Sequence, residues 1–314
     1  MVQRVSSNIV QQRDGVPAPG SNSSPRAPGL LNDTAARDYS RKLQLFNVFA
    51  APELRQAIAT LDLQPGMSVL DAGCGTGEAL HWLTEPVQPG GRVVGLDLAV
   101  AHVTAASGSA PPRALVVQAD LRQLPLQTGS FDLIWCVNTV HHLPDPLAVL
   151  RAWRAHLRSG GRIAIGQSSL LPEMFFAWDQ RLERLTNEAV RRYYRERYGV
   201  REEDLTAIRG VAGLLRQAGL QNVRVRTFLI ERLAPLSAAT RLYLEEAIFR
   251  DTWGERLRPY LASEDFAALT RLCDPGHPEF ALDREDFHFL QTFTVFEGAV
   301  GSPPAGHPAN TAAE

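Results

Sequence analysis

Five short runs of β-branched and aliphatic residues recur between positions 67 and 167, each separated from the next by a stretch of helical character. They are 67–71 (MSVLD), 92–97 (RVVGLD), 115–118 (LVVQ), 131–138 (FDLIWCVN) and 162–166 (RIAIG). Runs this short and this continuously apolar fit strands buried on both faces of a parallel sheet. Strand, helix, strand at this rhythm requires right-handed crossovers and a doubly wound α/β architecture. One crossover helix is explicit. Pro146 stands where a first-turn proline is tolerated, Leu147, Leu150, Trp153 and Leu157 follow at helical spacing, and Gly160 with Gly161 stops the run.

The rhythm breaks after the fifth run. Residues 169–220 are mostly helical in character and rich in Arg and aromatics, ending in the amphipathic 211–220 (VAGLLRQAGL). Two further strands are expected at 223–232 (VRVRTFLIER) and 287–298 (FHFLQTFTVFEG). The intervening stretch reads as helical at 241–253 and 264–272; it is too long for a hairpin turn and should fold over the sheet as an insertion. Residues 1–32 and 301–314, rich in Ser, Pro, Gly and Asn, are expected to be disordered because they cannot bury enough apolar surface to offset ordering. The expected partition is one domain over 33–300, with helical cap insertions at about 169–206 and 235–285.

Composition narrows the partners. A net charge of −2 argues against a nucleic-acid footprint or a polybasic membrane anchor. Lys42 is the only lysine among 32 basic residues, a bias that a G+C-rich genome produces without functional selection. Cys74, Cys136 and Cys273 are too few and too scattered for a disulfide framework or a zinc site, so no metal is expected. The N-terminus lacks the apolar core of a signal peptide and no run of 18 apolar residues occurs, so a cytoplasmic location without a membrane span is expected.

The chemistry concentrates at residues 69–77 (VLDAGCGTG), running off the first strand. Glycines at 73, 75 and 77 remove Cβ atoms where the backbone turns sharply and a ligand comes close. In a doubly wound sheet such a turn lies at the carboxyl ends of the strands, where nucleotides bind. A dinucleotide fingerprint would need a third glycine where Glu78 stands, and a carboxylate there opposes a pyrophosphate at the helix start.

This run and the motifs after it resemble those of class I S-adenosylmethionine-dependent methyltransferases, over roughly 35–300 and most sharply over 67–167. The resemblance implies a Rossmann-like seven-stranded sheet of order 3-2-1-4-5-7-6, the last strand antiparallel, and S-adenosyl-L-methionine as cofactor. It implies that Gly73, Cys74, Gly75 and Gly77 pack against the methionine part and that Asp71 orients its amino group. Asp97 would accept hydrogen bonds from the ribose hydroxyls, Leu98 would pack on the adenine, and Asp120 with Leu121 would read the adenine edge. Asn138 would contact the cofactor near the sulfonium through its backbone. Each residue has a second reading: Asp97 as a helix cap, Asp120 as a turn acid, the glycines as turn formers.

Within the class the pattern is similar to the small-molecule branch that includes the quinone-biosynthesis enzymes. There residues 35–40 (AARDYS) resemble a helix that closes over the cofactor, with Tyr39 as its hydroxyl contact, although a half-buried helical tyrosine fits equally. His141 and His142, in the loop after the fourth strand, stand where an acceptor would lie and are candidates for a general base or for a hydrogen-bonding role. The cap insertions are rich in aromatics, among them Tyr193, Tyr194, Tyr243, Phe249, Trp253 and Tyr260. They read either as the cap's own core or as the wall of an apolar acceptor site. Residues 181–201 carry seven Arg against three Glu, a pattern that fits a solvated charged face better than an RNA surface. The expected partner is a small, apolar or aromatic acceptor, quinone-like or a secondary metabolite, and no nucleic acid. An RNA or protein methyltransferase and a non-catalytic cofactor-binding module are the alternatives.

Overall fold

The computed structural model describes residues 40–168, 175–176, 179–198 and 207–301. Tyr39, both terminal tails and parts of the first insertion lie outside the described residues. Helices α1 (Ser40–Phe49) and α2 (Ala51–Ala59) lead into β1 (Ser68–Ala72), α3 (Glu78–Val87), β2 (Arg92–Asp97), α4 (Val100–Ser109) and β3 (Ala114–Gln118). β4 (Phe131–Val137), α5 (Pro146–Trp153) and β5 (Leu157–Ser168) complete the alternating part. A two-residue β6 (Phe175–Phe176), α6 (Gln180–Tyr198), α7 (Ala207–Gln217) and β7 (Gln221–Leu233) follow. Then come α8 (Ala238–Tyr243), which runs on as a π-helix over Leu244–Trp253, α9 (Ser263–Cys273) and β8 (His288–Ala299).

The sheet runs β3-β2-β1-β4-β5-β8, with β7 on the far side of β8 and β6 beside β8 beyond the end of β5. β1 to β5 are parallel, and β8 is antiparallel to both β5 and β7. Leaving aside the two-residue β6, the seven long strands stand in the order 3-2-1-4-5-7-6, as the resemblance implied. Continuous apolar runs follow from cores on both sheet faces. Val69, Leu133, Trp135 and Ala164 point into one core with α1 to α4 and the cap. Their neighbours Leu70, Ile134, Cys136, Ile163 and Ile165 point into the other with α5 and α7.

Two expectations are corrected. Leu157 is not helical: α5 stops at Trp153, and Leu157 pairs with Phe131 at the start of β5. Gly160 and Gly161 do not end the helix. They carry β5 through the irregularity opposite Phe131 and Leu133, where Gly160 takes φ +75. The stretch read as helical over 241–253 is helical throughout: it is an α-helix to Tyr243 and then widens so that Gly254 N–H donates to Phe249 O. Pro146 does open α5, with the Asp145 carboxylate capping Ala148 N–H at 2.9 Å.

β7 and β8 outreach the parallel strands. Ser168, the last residue of β5, pairs with Phe293, while the β7–β8 ladder continues to Leu233 opposite His288. This overhang stands above the carboxyl edge of the sheet, and the cap packs on it through the stack of Phe49 on Tyr243, centroids 4.2 Å apart, and the contact of Phe49 with Phe289.

Candidate functional site

The strand order reverses between β1 and β4, so a crevice opens at the carboxyl ends of these two strands. The loops leaving them meet there. Gly73 has φ +86, and a Cβ on it would collide with the Thr139 side chain from the β4 loop. Gly77, φ +92, lies so close to α4 that a Cβ would approach Ala106 Cβ to 2.9 Å. These two glycines are required by close approach as well as by backbone geometry. The turn is stitched to β2: Gly73 N–H and Cys74 N–H both donate to Leu96 O at 2.8 Å. Glu78, the first residue of α3, accepts from the Thr76 hydroxyl and from Asn47 Nδ2 of α1, so a carboxylate fills the place a pyrophosphate would need.

Asp71 closes β1 as a buried carboxylate, and its Oδ2 has no hydrogen-bond partner among the described residues. Burial first, then the nearby charges of Asp97 and Glu78, pushes its pKa up to about 8. Asp97 at the end of β2 is the opposite case. Oδ2 accepts from Gly75 N–H at 3.0 Å, and Oδ1 accepts from Ala99 N–H at 2.9 Å and from His102 Nδ1 at 3.2 Å. Burial works to raise its pKa, yet these hydrogen bonds and the charge of His102 outweigh it and hold the carboxyl below its ordinary value. The site thus sets two acids 26 residues apart in sequence into different protonation states.

The remaining sequence candidates distribute unevenly. Cys74 turns inward: its thiol is buried, and a Cβ on Gly95 of β2 would meet Sγ at 3.0 Å. Leu98 is 46% exposed at the end of β2, an apolar side chain at the mouth of the crevice. Asp120 is gripped in bidentate fashion by Arg122, with Nη2 to Oδ2 at 2.6 Å. Buried Leu121 has its carbonyl fixed by Trp153 Nε1–H at 2.9 Å. Asn138 takes φ +49 and accepts from Ser168 N–H and the Ser168 hydroxyl through Oδ1, tying the β4 loop to the end of β5. His141 and His142 lie ring against ring, centroids 4.0 Å apart, and His141 Nδ1–H donates to Gln167 Oε1 at 3.2 Å. That bond leaves the lone pair of His141 on Nε2.

The cap's aromatics are largely its own core. Tyr243, Phe249 and Trp253 are buried, and Phe249 stacks on Trp253 at 5.5 Å. Burial drives the Tyr243 hydroxyl well above the ordinary range despite a hydrogen bond with Gln291, which removes it as a base. Phe175, Phe176, Trp178 and Tyr198 have side chains outside the described residues. Three of the α6 arginines are engaged within the chain: Arg181 with Asp265 at 2.6 Å, Arg195 with Glu188 at 3.7 Å, and Arg192 over the Tyr260 ring. Sequence reading missed His102, Thr139, Gln167 and Gln291. None of the four stood out in the sequence, because each has other polar residues close by in its own element or loop. Among the described residues, no helix is long and apolar enough to cross a membrane, and no cluster of His, Cys, Asp or Glu could hold a metal.

Residues 70–165 match the family model of the methyltransferase domain, and they contain the glycine turn, both acids and the paired histidines. The chain is 35% identical over 118 residues to the 27-O-demethylrifamycin SV methyltransferase of Amycolatopsis mediterranei, covering 36% of this chain and 42% of that one. It is 26% identical over 187 residues to the demethylmenaquinone methyltransferase of Shouchella clausii, covering 55% of this chain and 79% of that one. The chain spans about two fifths of the length of most of the curated relatives it matches. The crystal structure of YcgJ from Bacillus subtilis, 18% identical, superposes with a TM-score of 0.50 over 81% of this chain and 100% of that one, and so shares the fold.

Proposed function

We propose that this chain, which carries a methyltransferase domain over residues 70–165, moves a methyl group from S-adenosyl-L-methionine to a small apolar or aromatic acceptor beneath the cap. One observation carries the reading: the buried Asp71 carboxylate with an unpartnered oxygen, set against a glycine turn that admits no side chain. A buried acid left without a donor is costly unless a ligand completes it, and the α-ammonium of the cofactor is such a donor. The chain's residues fit the rest of that molecule. Asp97, ionised by its three donors, suits ribose hydroxyls and repels a 2′-phosphate. Exposed Leu98 would offer an apolar face to the adenine, and Asp120 with Leu121 would read the adenine edge, Asp120 giving up part of its pairing with Arg122 to do so. Gly73, Gly75 and Gly77 would border the methionine moiety, with Cys74 contributing backbone only; the Asn138 backbone would lie near the sulfonium, and Tyr39 remains part of this reading.

When bound, the cofactor supplies an electrophilic methyl group on a sulfonium, whose transfer is an in-line displacement. The protein's part is then mostly alignment of the acceptor. His141, with Nε2 carrying the lone pair, is placed to take the proton of an acceptor hydroxyl, and His142 stacks against it. The overhanging β7–β8 strand pair and the helices packed on it bound the space above the sheet edge, where an apolar acceptor would be shielded from water. Relatives named for rifamycin and menaquinone precursors support an acceptor of that kind. The chain is read as a cytoplasmic single domain over 33–300.

Titration calorimetry with S-adenosylmethionine tests the core claim; no heat of binding at millimolar cofactor would sink it. His141→Gln and His142→Gln should keep cofactor affinity, and the variant that removes the base should lose about 10²–10⁴-fold in turnover. Equal turnover in both variants and the parent would assign the pair to hydrogen bonding alone.

A further inference from the structure

Helix α4 is built from small and apolar residues apart from His102, Thr104 and two serines, and His102 is turned inward. Its side chain is 10% exposed, and the Asp97 carboxylate it meets is 14% exposed. A leucine would fill the same space without the cost of burying an imidazole. One turn further along α4, Ala106 closes against Gly77, so a single face of this helix abuts both the cofactor turn and the acid beside it. Asp97 has roughly four acceptor positions; Gly75 N–H from the turn after β1, and Ala99 N–H and His102 from the start of α4, fill three. Only the bond from His102 comes from a side chain, so it is the one that mutation can remove without rebuilding the backbone.

We propose that His102 is a positioning residue for cofactor binding, its Nδ1–H holding the Asp97 carboxylate in one rotamer so that its remaining acceptor capacity meets the ribose. The proposal rests on the reading of Asp97 as the ribose acceptor. Its chemistry is a charge-assisted hydrogen bond, which both orients the carboxylate and keeps it ionised against burial. His102 touches neither the cofactor nor the acceptor and acts through Asp97.

Calorimetry with S-adenosylhomocysteine and with its 2′-deoxyadenosyl analogue tests it, on the full chain and on His102→Leu, His102→Asn and Asp97→Ala. His102→Leu keeps the volume and removes the donor, and it should bind S-adenosylhomocysteine about tenfold more weakly. His102→Asn places an amide N–H where Nδ1 stood and should recover to within about threefold of the parent. The preference for ribose over 2′-deoxyribose should shrink in His102→Leu and return in His102→Asn. A purely packing role would weaken both ligands alike and show no rescue by Asn; either result overturns the proposal. If His102→Leu fails to fold, His102→Gln, whose amide reaches the Nε2 position, serves as the variant lacking the bond. Parent and Asp97→Ala binding equally well would overturn the ribose assignment and this proposal with it, leaving the cofactor reading intact. No binding by the parent would overturn both.

Discussion

At the scale of single residues, the two acids at the strand ends illustrate how local surroundings divide one side-chain type into two roles. Asp71 has a folded pKa near 8 and an ordinary value of 3.8 in the unfolded chain, so between those limits it is protonated when folded and ionised when unfolded. Unfolding then releases a proton, and the ligand-free fold loses stability as pH rises through that window, with the loss complete above about 8. Asp71→Asn should therefore raise the melting temperature of the ligand-free protein at pH 7 by roughly 3–8 °C, a gain that fades toward pH 4. The same variant should bind the cofactor more weakly, because the amide cannot pair with an ammonium. Thermal melts across pH, set beside calorimetry, check both halves; a lower melting temperature at pH 7 would refute the assigned protonation state. Gly73→Ala is expected to destabilise by more than about 1 kcal/mol, since it combines a positive φ with the Thr139 collision. Adding Thr139→Ala should return the steric part only, which denaturant titration of the single and double variants will show.

Among elements, α1 and α2 matter more than their place before the sheet suggests. Leu43 of α1 lies 3.1 Å from where a Gly75 Cβ would be, and Asn47 holds Glu78, so α1 lies on the glycine turn. The same helix reaches the cap through Arg41 with Glu246 and Lys42 with Asp251. Those two pairs are substantially exposed and should each contribute less than about 1 kcal/mol. The aromatic contacts of Phe46 and Phe49 with Tyr243 are the stronger tie. Helix α2 is joined to β7 by a different kind of bond. Arg232 of β7 makes a bidentate pair with Glu53, both side chains less than one-fifth exposed, and lies over the Phe49 ring at 4.7 Å. Arg232→Ala leaves Glu53 partly buried without its partner and should cost about 3–5 kcal/mol. Arg232→Met with Glu53→Gln should cost distinctly less. A double-mutant cycle by urea denaturation measures the difference, and additive costs would show that the pair is solvated and unimportant.

For the molecule as a whole, a net charge of −2 gives no positive excess, and arginines such as Arg181, Arg192 and Arg256 are engaged by internal carboxylates and rings. The chain is accordingly expected to show no salt-dependent retention of RNA in a gel shift at 50 mM salt; a shift that vanishes by 200 mM would revive a macromolecular acceptor. The partition of the chain also belongs to this scale. The cap is no separate body, because its Phe249, Trp253 and Leu257 share a core with Leu83 of α3 and Trp135 of β4. The β7–β8 overhang and the cap are therefore part of the same packed body as the sheet.

The five parallel strands, the glycine turn and the positions of Asp71 and Asp97 were legible in the amino-acid sequence because they depend on local properties, whereas the order of strands in the sheet came only through the family resemblance. Apolar periodicity marks a strand, glycine marks a positive φ, and a doubly wound topology places both acids at carboxyl ends. The shift from α- to π-helix after Tyr243 was not legible, since side-chain spacing alone does not report hydrogen-bond register. Nor could sequence say which polar groups were already taken: that Arg122 grips Asp120, that Cys74 turns inward, or that His102 holds Asp97 while Asp71 is left wanting a donor. Each of these is settled by contacts between segments brought together only when the chain folds. Burial then multiplies the energy of every hydrogen bond made or missed.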